Sequence, residues 1–247
     1  MSIHLVGGGR SGEHLVQIYG PFLAEAVQRA RQDRRVQPRI GVVQLLEKDE
    51  DQGTERYEWF AETLASLGPC EPVALMVNEG ETLAADQLRG LDGLLVSGGL
   101  TPAYLTAVSP VMDEIRALVG AGLPYLGFSA GAAIAARRAI IGGWKVGNQI
   151  VCHEDNGEEL DELTVVDGLG LVDFSVDVHA VEWGNVTRLL MAVESGAVDE
   201  GVALDESTVL IMDGTSPQVS GAGQAWWAAK ADRGVTMRVQ PAAPVIS

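Results

Sequence analysis

The sequence predicts an α/β protein: a three-layer sandwich with a mainly parallel sheet, helices on both faces and antiparallel strands toward the C-terminus. Three observations predict it. Short apolar runs alternate with amphipathic stretches through the first half, Gly, Pro or Asn punctuates most joins, and beyond Ala130 the pattern changes to closely spaced β-like runs. Apolar runs bounded by turn residues read as buried strands, and the amphipathic stretches between them supply the crossover helices that parallel neighbours require.

The strand signals of the first half fall at 3–6, 40–46, 73–77, 94–96 and 125–128, and the helical ones at 22–31, 57–67 and 111–119. Further β-like runs at 139–141, 177–178, 201–204, 209–212, 225–229 and 235–239 surround one clear helix near 185–195. No long repeat, low-complexity tract or Pro/Ser-rich linker interrupts the 247 residues, so a single domain over 1–247 is expected.

Hydrophobic residues make up 47% of the chain and charged residues 21%, an ordinary soluble composition. Seventeen basic against thirty-four acidic residues give a formal charge of −17, which opposes nucleic-acid and anionic-membrane partners. The local acidic clusters at 47–51 and 154–159 read as solvated loops. No basic leader precedes an apolar segment, and no run approaches the ~20 apolar residues of a membrane span, so a cytoplasmic location is expected. Cys70 and Cys152 lack metal-site spacing and read as reduced structural thiols, leaving no metal or cofactor in the expectation.

The most informative segment is Gly127-Phe128-Ser129-Ala130-Gly131. It follows the apolar strand 125–128 and opens an Ala-rich helical stretch over 130–136, which puts Ser129 on a strand-to-helix turn. Small neighbours are needed there because the chain approaches itself closely, and the new helix presents N–H groups, beginning with Ala130, beside the serine oxygen. The strand end Ser97-Gly98-Gly99 belongs to the same sheet edge, so Gly99 is the candidate for a second oxyanion donor. Gly7-Gly8-Gly9-Arg10 lacks a complete phosphate-binding fingerprint and reads as a glycine-lined wall of the same crevice.

A serine hydroxyl needs a base, and histidine titrates in the right range. His4 lies in the first strand, His14 in a polar loop and His153 in an acidic segment. His179 closes a β-like run after the nucleophile and is the preferred base. The orienting carboxylate is expected from Asp205-Glu206 at the end of the next strand, with either residue a candidate.

Taken together, the Gly-Gly loop, G-x-S-A-G, Asp-x-His, the Arg-Leu helix and Asp-Glu-x-Thr run in order from about Leu94 to Leu210. In this the chain resembles the serine dipeptidase E and cyanophycinase family, whose fold is like that of class I glutamine amidotransferases. The resemblance implies a Ser129, His179 and Glu206 triad with Gly99 and Ala130 as oxyanion donors. Some relatives carry the acid shortly after the nucleophile, but 139–145 contains none, which selects Glu206. The family also carries arginines after the histidine, one of which recognises aspartate in aspartyl dipeptidases. Here Asn185 stands where that arginine is expected, while Arg188 keeps the Arg-Leu pair, so strict aspartate specificity is not expected.

The sequence therefore points to a serine peptidase acting on short peptides, with Trp183, Asn185 and Arg188 as candidate substrate contacts and room for a homodimer. Its rivals are a cyanophycinase-like hydrolase, an esterase or amidase using the same triad, and a non-catalytic amidotransferase-like binding domain.

Overall fold

The computed structural model describes residues 2–48, 52–214 and 216–243. In chain order the first half comprises β1 (Ile3–Val6), α1 (Leu15–Gln32), β2 (Arg39–Leu46), α2 (Gly53–Leu67) and β3 (Glu71–Asn78). These are followed by β4 (Gly93–Val96), α3 (Thr101–Val108), α4 (Met112–Gly120), β5 (Tyr125–Phe128) and α5 (Ala130–Ala133). The second half adds β6 (Arg138–Gly142), β7 (Lys145–Val146), β8 (Gln149–Ile150), β9 (Thr164–Asp167), β10 (Ser175–Asp177) and α6 (Val186–Glu194). It closes with β11 (Glu200–Leu204), β12 (Thr208–Met212), β13 (Gln218–Gly221), β14 (Gln224–Lys230) and β15 (Val235–Pro241).

A seven-stranded sheet in the order β13-β12-β1-β5-β4-β2-β3 forms the centre. Strands β1, β5, β4, β2 and β3 run parallel, and β12 lies antiparallel between β1 and β13. Both faces are covered, as the unbroken apolar strands require. Alternate residues serve opposite faces: Leu5, Leu94, Val96 and Tyr125 pack with Val108 and Ile115 of α3 and α4, whereas Val6, Leu95 and Leu126 pack with Phe22 and Phe60 of α1 and α2. Each such fully buried side chain contributes roughly 1.5–3 kcal/mol through lost water contact.

Two expectations change. Strands β12 and β13 do extend the main sheet, but β10, β11, β14 and β15 form a separate four-stranded sheet. Its strand β11 is buried on both sides, with Val202 facing the main core and Ala203 facing Leu189 and Ala192 of α6, so it needs a layer of its own. The helix after Ser129 stops at Ala133 instead of reaching 136. The carbonyls of Ile134, Ala135 and Ala136 accept from Leu169, Leu171 and Gly170, and this competing loop ends the helix after one turn.

Of the acidic cluster at 47–51, residues 49–51 lie outside the described residues. Among the described residues no helix is long and apolar enough to cross a membrane. Adjacency of β1, β5 and β4, with Val6 opposite Phe128 and Val96 opposite Gly127, brings three strand ends level at one edge of the sheet.

Candidate active site

Ser129 sits at that edge in a conformation few L-residues adopt, with φ 51° and ψ −111°. The strain is held by close packing: a Cβ on Gly127 would lie 2.3 Å from the Gly131 carbonyl oxygen, and one on Gly131 would lie 2.1 Å from that of Val96. The Ser129 N–H donates to Val6 O at 2.9 Å, tying the turn to β1. From β4, Gly98 lies so near that a Cβ there would come within 2.8 Å of Ser129 Cβ. Ala130 is the first helical residue, where an N–H has no acceptor within its own helix.

The Ser129 hydroxyl lies 2.9 Å from His179 Nε2, and His179 Nδ1 lies 2.6 Å from Glu206 Oε1. A carboxylate only accepts, so Nδ1 carries the proton and Nε2 is left to receive one from the hydroxyl. His179 lies two residues beyond the end of β10, at φ 52°, rather than closing the strand as expected. Its N–H donates to Gly7 O at 2.9 Å, while Ser207 N–H donates to Gly8 O at 2.8 Å. The glycine loop is thus clamped between base and acid, and a Cβ on Gly8 would lie 2.1 Å from His179 Cε1. Burial pushes the imidazole below the usual histidine range, with the Glu206 carboxylate opposing that effect.

Of the two adjacent acids only Glu206 reaches the base. Asp205 turns away, accepting from Trp226 Nε1 and the Gln224 N–H at 2.9 Å each, and burial raises its carboxyl above the usual range. The remaining sequence candidates divide. Trp183 lines the cavity beside the triad and lies flat on the His179 ring, 3.8 Å between centroids and 7° from parallel.

Asn185 and Arg188, in contrast, are buried and do not line this cavity. Arg188 makes a forked pair with Asp177, from Nε at 2.8 Å and Nη2 at 2.6 Å, and donates from Nη1 to Asn156 O at 2.6 Å. The Asn185 amide donates to Val178 O at 2.9 Å and accepts from Asn156 Nδ2, which also donates to Trp183 O. Sequence reasoning saw specificity determinants here; their hydrogen-bonding capacity is spent joining the 151–158 loop to the loop carrying His179. The signal for Asp177 was present, since Asp-x-His and Arg-Leu occur in one motif set.

The cavity at Ser129 measures about 540 Å³. Its walls carry Glu47, Asp155, Glu158, Glu159 and Glu206, set against Arg10 and Arg56. The acidic stretch 154–159 is therefore not simply a solvated loop. Glu158 Oε2 accepts from the Thr101 N–H at 2.9 Å, filling a donor that α3 leaves unpaired, and burial pushes its carboxyl up to about 7. Glu158 and Glu159 both have positive φ, 55° and 61°. Among the described residues no group of three or more His, Cys, Asp or Glu is arranged to hold a metal ion.

A serine at a strand end of a doubly covered parallel sheet, met by a histidine and a glutamate from the turns after β10 and β11 of the second sheet, is the architecture of a serine hydrolase. A model of peptidase family S51 matches residues 51–219. The chain belongs to that family, and it is a serine peptidase. It is similar to the crystal structure of a peptidase from an acI-B1 Actinobacterium, with a TM-score of 0.64 and 15% identity over 98% of this chain and 95% of that one. It is also similar to a putative peptidase E protein from Listeria monocytogenes EGD-e, with a TM-score of 0.52 and 16% identity over 90% of this chain and 98% of that one. Comparison with curated proteins gives no match.

Proposed function

We propose that the protein hydrolyses short peptides as a dipeptidase or exopeptidase, with Ser129 as nucleophile, His179 as general base and acid, and Glu206 as the orienting carboxylate. The observation that carries this reading is the continuous chain from Ser129 Oγ through His179 to Glu206, at 2.9 and 2.6 Å. Ser129 Oγ attacks the scissile carbonyl carbon as its proton passes to His179 Nε2. The resulting oxyanion is met by the N–H groups of Ala130 and Gly99. His179 then protonates the departing amine, the C–N bond breaks, and water cleaves the acyl-enzyme by the same relay in reverse order.

Aspartate is a poor fit for the acyl position in this reading, because the cavity wall is rich in carboxylates and Asn185 is held in a buried network. Uncharged or basic side chains suit such a wall better. The test is a library of unblocked dipeptides with purified enzyme and Ser129→Ala. The variant should lose at least about 10⁴-fold in kcat/KM at unchanged thermal stability. Retained turnover would remove Ser129 from the nucleophile's role.

A further inference from the structure

We propose that Arg10 and Glu158 set the length of the substrate, Arg10 receiving the free carboxylate of the departing residue and Glu158 the free ammonium of the acylating one. The proposal rests on the peptidase reading above and adds to it two residues outside the triad. Both charges of an unblocked dipeptide sit one α-carbon away from the scissile amide. Groups that recognise them must therefore lie immediately on either side of Ser129.

The leaving group of a serine peptidase departs on the side of the histidine that protonates it. That side is built by the loop after β1. A Cβ on Gly8 would strike the His179 ring, and one on Gly9 would lie 2.8 Å from Glu206 Cβ. Arg10 is the next residue; it is exposed, lines the cavity, and among the described residues no hydrogen bond or ion pair engages it. The other cavity guanidinium differs, since Arg56 is 3.4 Å from both Glu47 Oε1 and Gly98 O.

A free carboxylate entering a cavity lined by glutamates in a chain of net charge −17 is repelled unless a cation meets it. Arg10 supplies that cation with a fork suited to a carboxylate. Glu158 lines the same cavity, and its bond to Thr101 N–H ties it to the start of α3, two residues beyond Gly99. One oxygen is spent on that bond, and the carboxylate remains part of the cavity wall. A longer peptide offers a neutral amide on each side where it is extended, so it forfeits at least one contact, and both when it is cleaved internally.

The test measures kcat/KM for one cleaved dipeptide in three forms, unblocked, C-terminally amidated and N-acetylated, on the wild type, Arg10→Gln and Glu158→Gln. Wild type should lose about ten- to a hundredfold on either blockage, the range of a charge-assisted hydrogen bond. Arg10→Gln should abolish the amidation penalty while keeping the acetylation penalty, and Glu158→Gln should do the reverse. Because each ratio is taken within one variant, a partly destabilised preparation does not distort it. Equal cleavage of free and blocked dipeptides by wild type, or full penalties retained in the variants, would overturn the proposal. Hydrolysis of p-nitrophenyl acetate by wild type separates the two levels. Ester turnover without dipeptide cleavage overturns this inference and leaves the hydrolytic serine standing, whereas absence of both removes the two together.

Discussion

The indole of Trp183 lies face to face on the imidazole of His179, with 3.8 Å between ring centroids and 7° between planes. Two hydrogen bonds fix the imidazole from its edges, to Ser129 and to Glu206, and the stacked indole fixes it from one face. Trp183 is itself 43% exposed, so it shields the base from water at the cavity mouth. In the proposed relay it acts through His179, as a positioning residue.

Trp183→Ala should lower kcat by about tenfold with a smaller change in KM, because a freed imidazole spends less time aligned with Ser129. Water reaching the ring should also move the acid limb of the rate profile up toward the ordinary histidine value. Trp183→Phe should restore most of both. A pH–rate series on the three proteins checks this, and an unchanged acid limb in Trp183→Ala would leave the stack without an influence on the base.

The pH dependence of the wild type follows from the direction of the His179 shift. In the proposed relay only neutral His179 can accept the Ser129 proton, and burial depresses its pKa. The limb of kcat/KM against pH should thus be centred below the ordinary histidine value of about 6.5. The same shift enters stability. A depressed folded-state histidine contributes stability that is present above its unfolded pKa and lost as pH falls through the folded one. Glu158 works oppositely: its pKa is raised from 4.5 to about 7, so its contribution is present below 4.5 and lost as pH rises through about 7. Glu158→Gln should accordingly gain in Tm relative to wild type on going from pH 5 to pH 8, measured by thermal scans.

Arg188 and Asp177 form a forked pair at 2.8 and 2.6 Å in which both residues are almost fully buried. Arg188→Met should destabilise the fold by about 3–5 kcal/mol, because it strands a buried carboxylate. Adding Asp177→Asn should recover part of that loss, and Arg188→Lys should fall between, since an ammonium cannot reproduce the fork. Urea titration of the four proteins gives the comparison.

How much of this was legible in the sequence depended on whether the determining interactions were local. The turn at Ser129 was readable because its glycines, strand and helix are contiguous. His179 was readable from its place after a β-like run beyond the nucleophile, whereas the choice of Glu206 needed the ordered motif set, since spacing alone left Asp205 open. What escaped was set by contacts across the chain. Asn185 and Arg188 carry side chains suited to binding, and only the fold reveals that Asp177, Val178 and Asn156 have already taken them. The acidic stretch at 154–159 has a solvated loop's composition, and only the approach of Thr101 turns Glu158 into the cavity. The short helix after Ser129 was misjudged for the same reason: the loop at 168–172 that claims its carbonyls is distant in sequence.

The central claim is that His179 activates Ser129, and covalent labelling of the native protein with a fluorophosphonate tests it most directly. Intact and peptide mass spectrometry should find a single adduct on Ser129 in wild type, none in Ser129→Ala, and labelling slowed by about 10³-fold in His179→Ala. No adduct on Ser129 in the folded wild type, or equal labelling rates with and without His179, would contradict it.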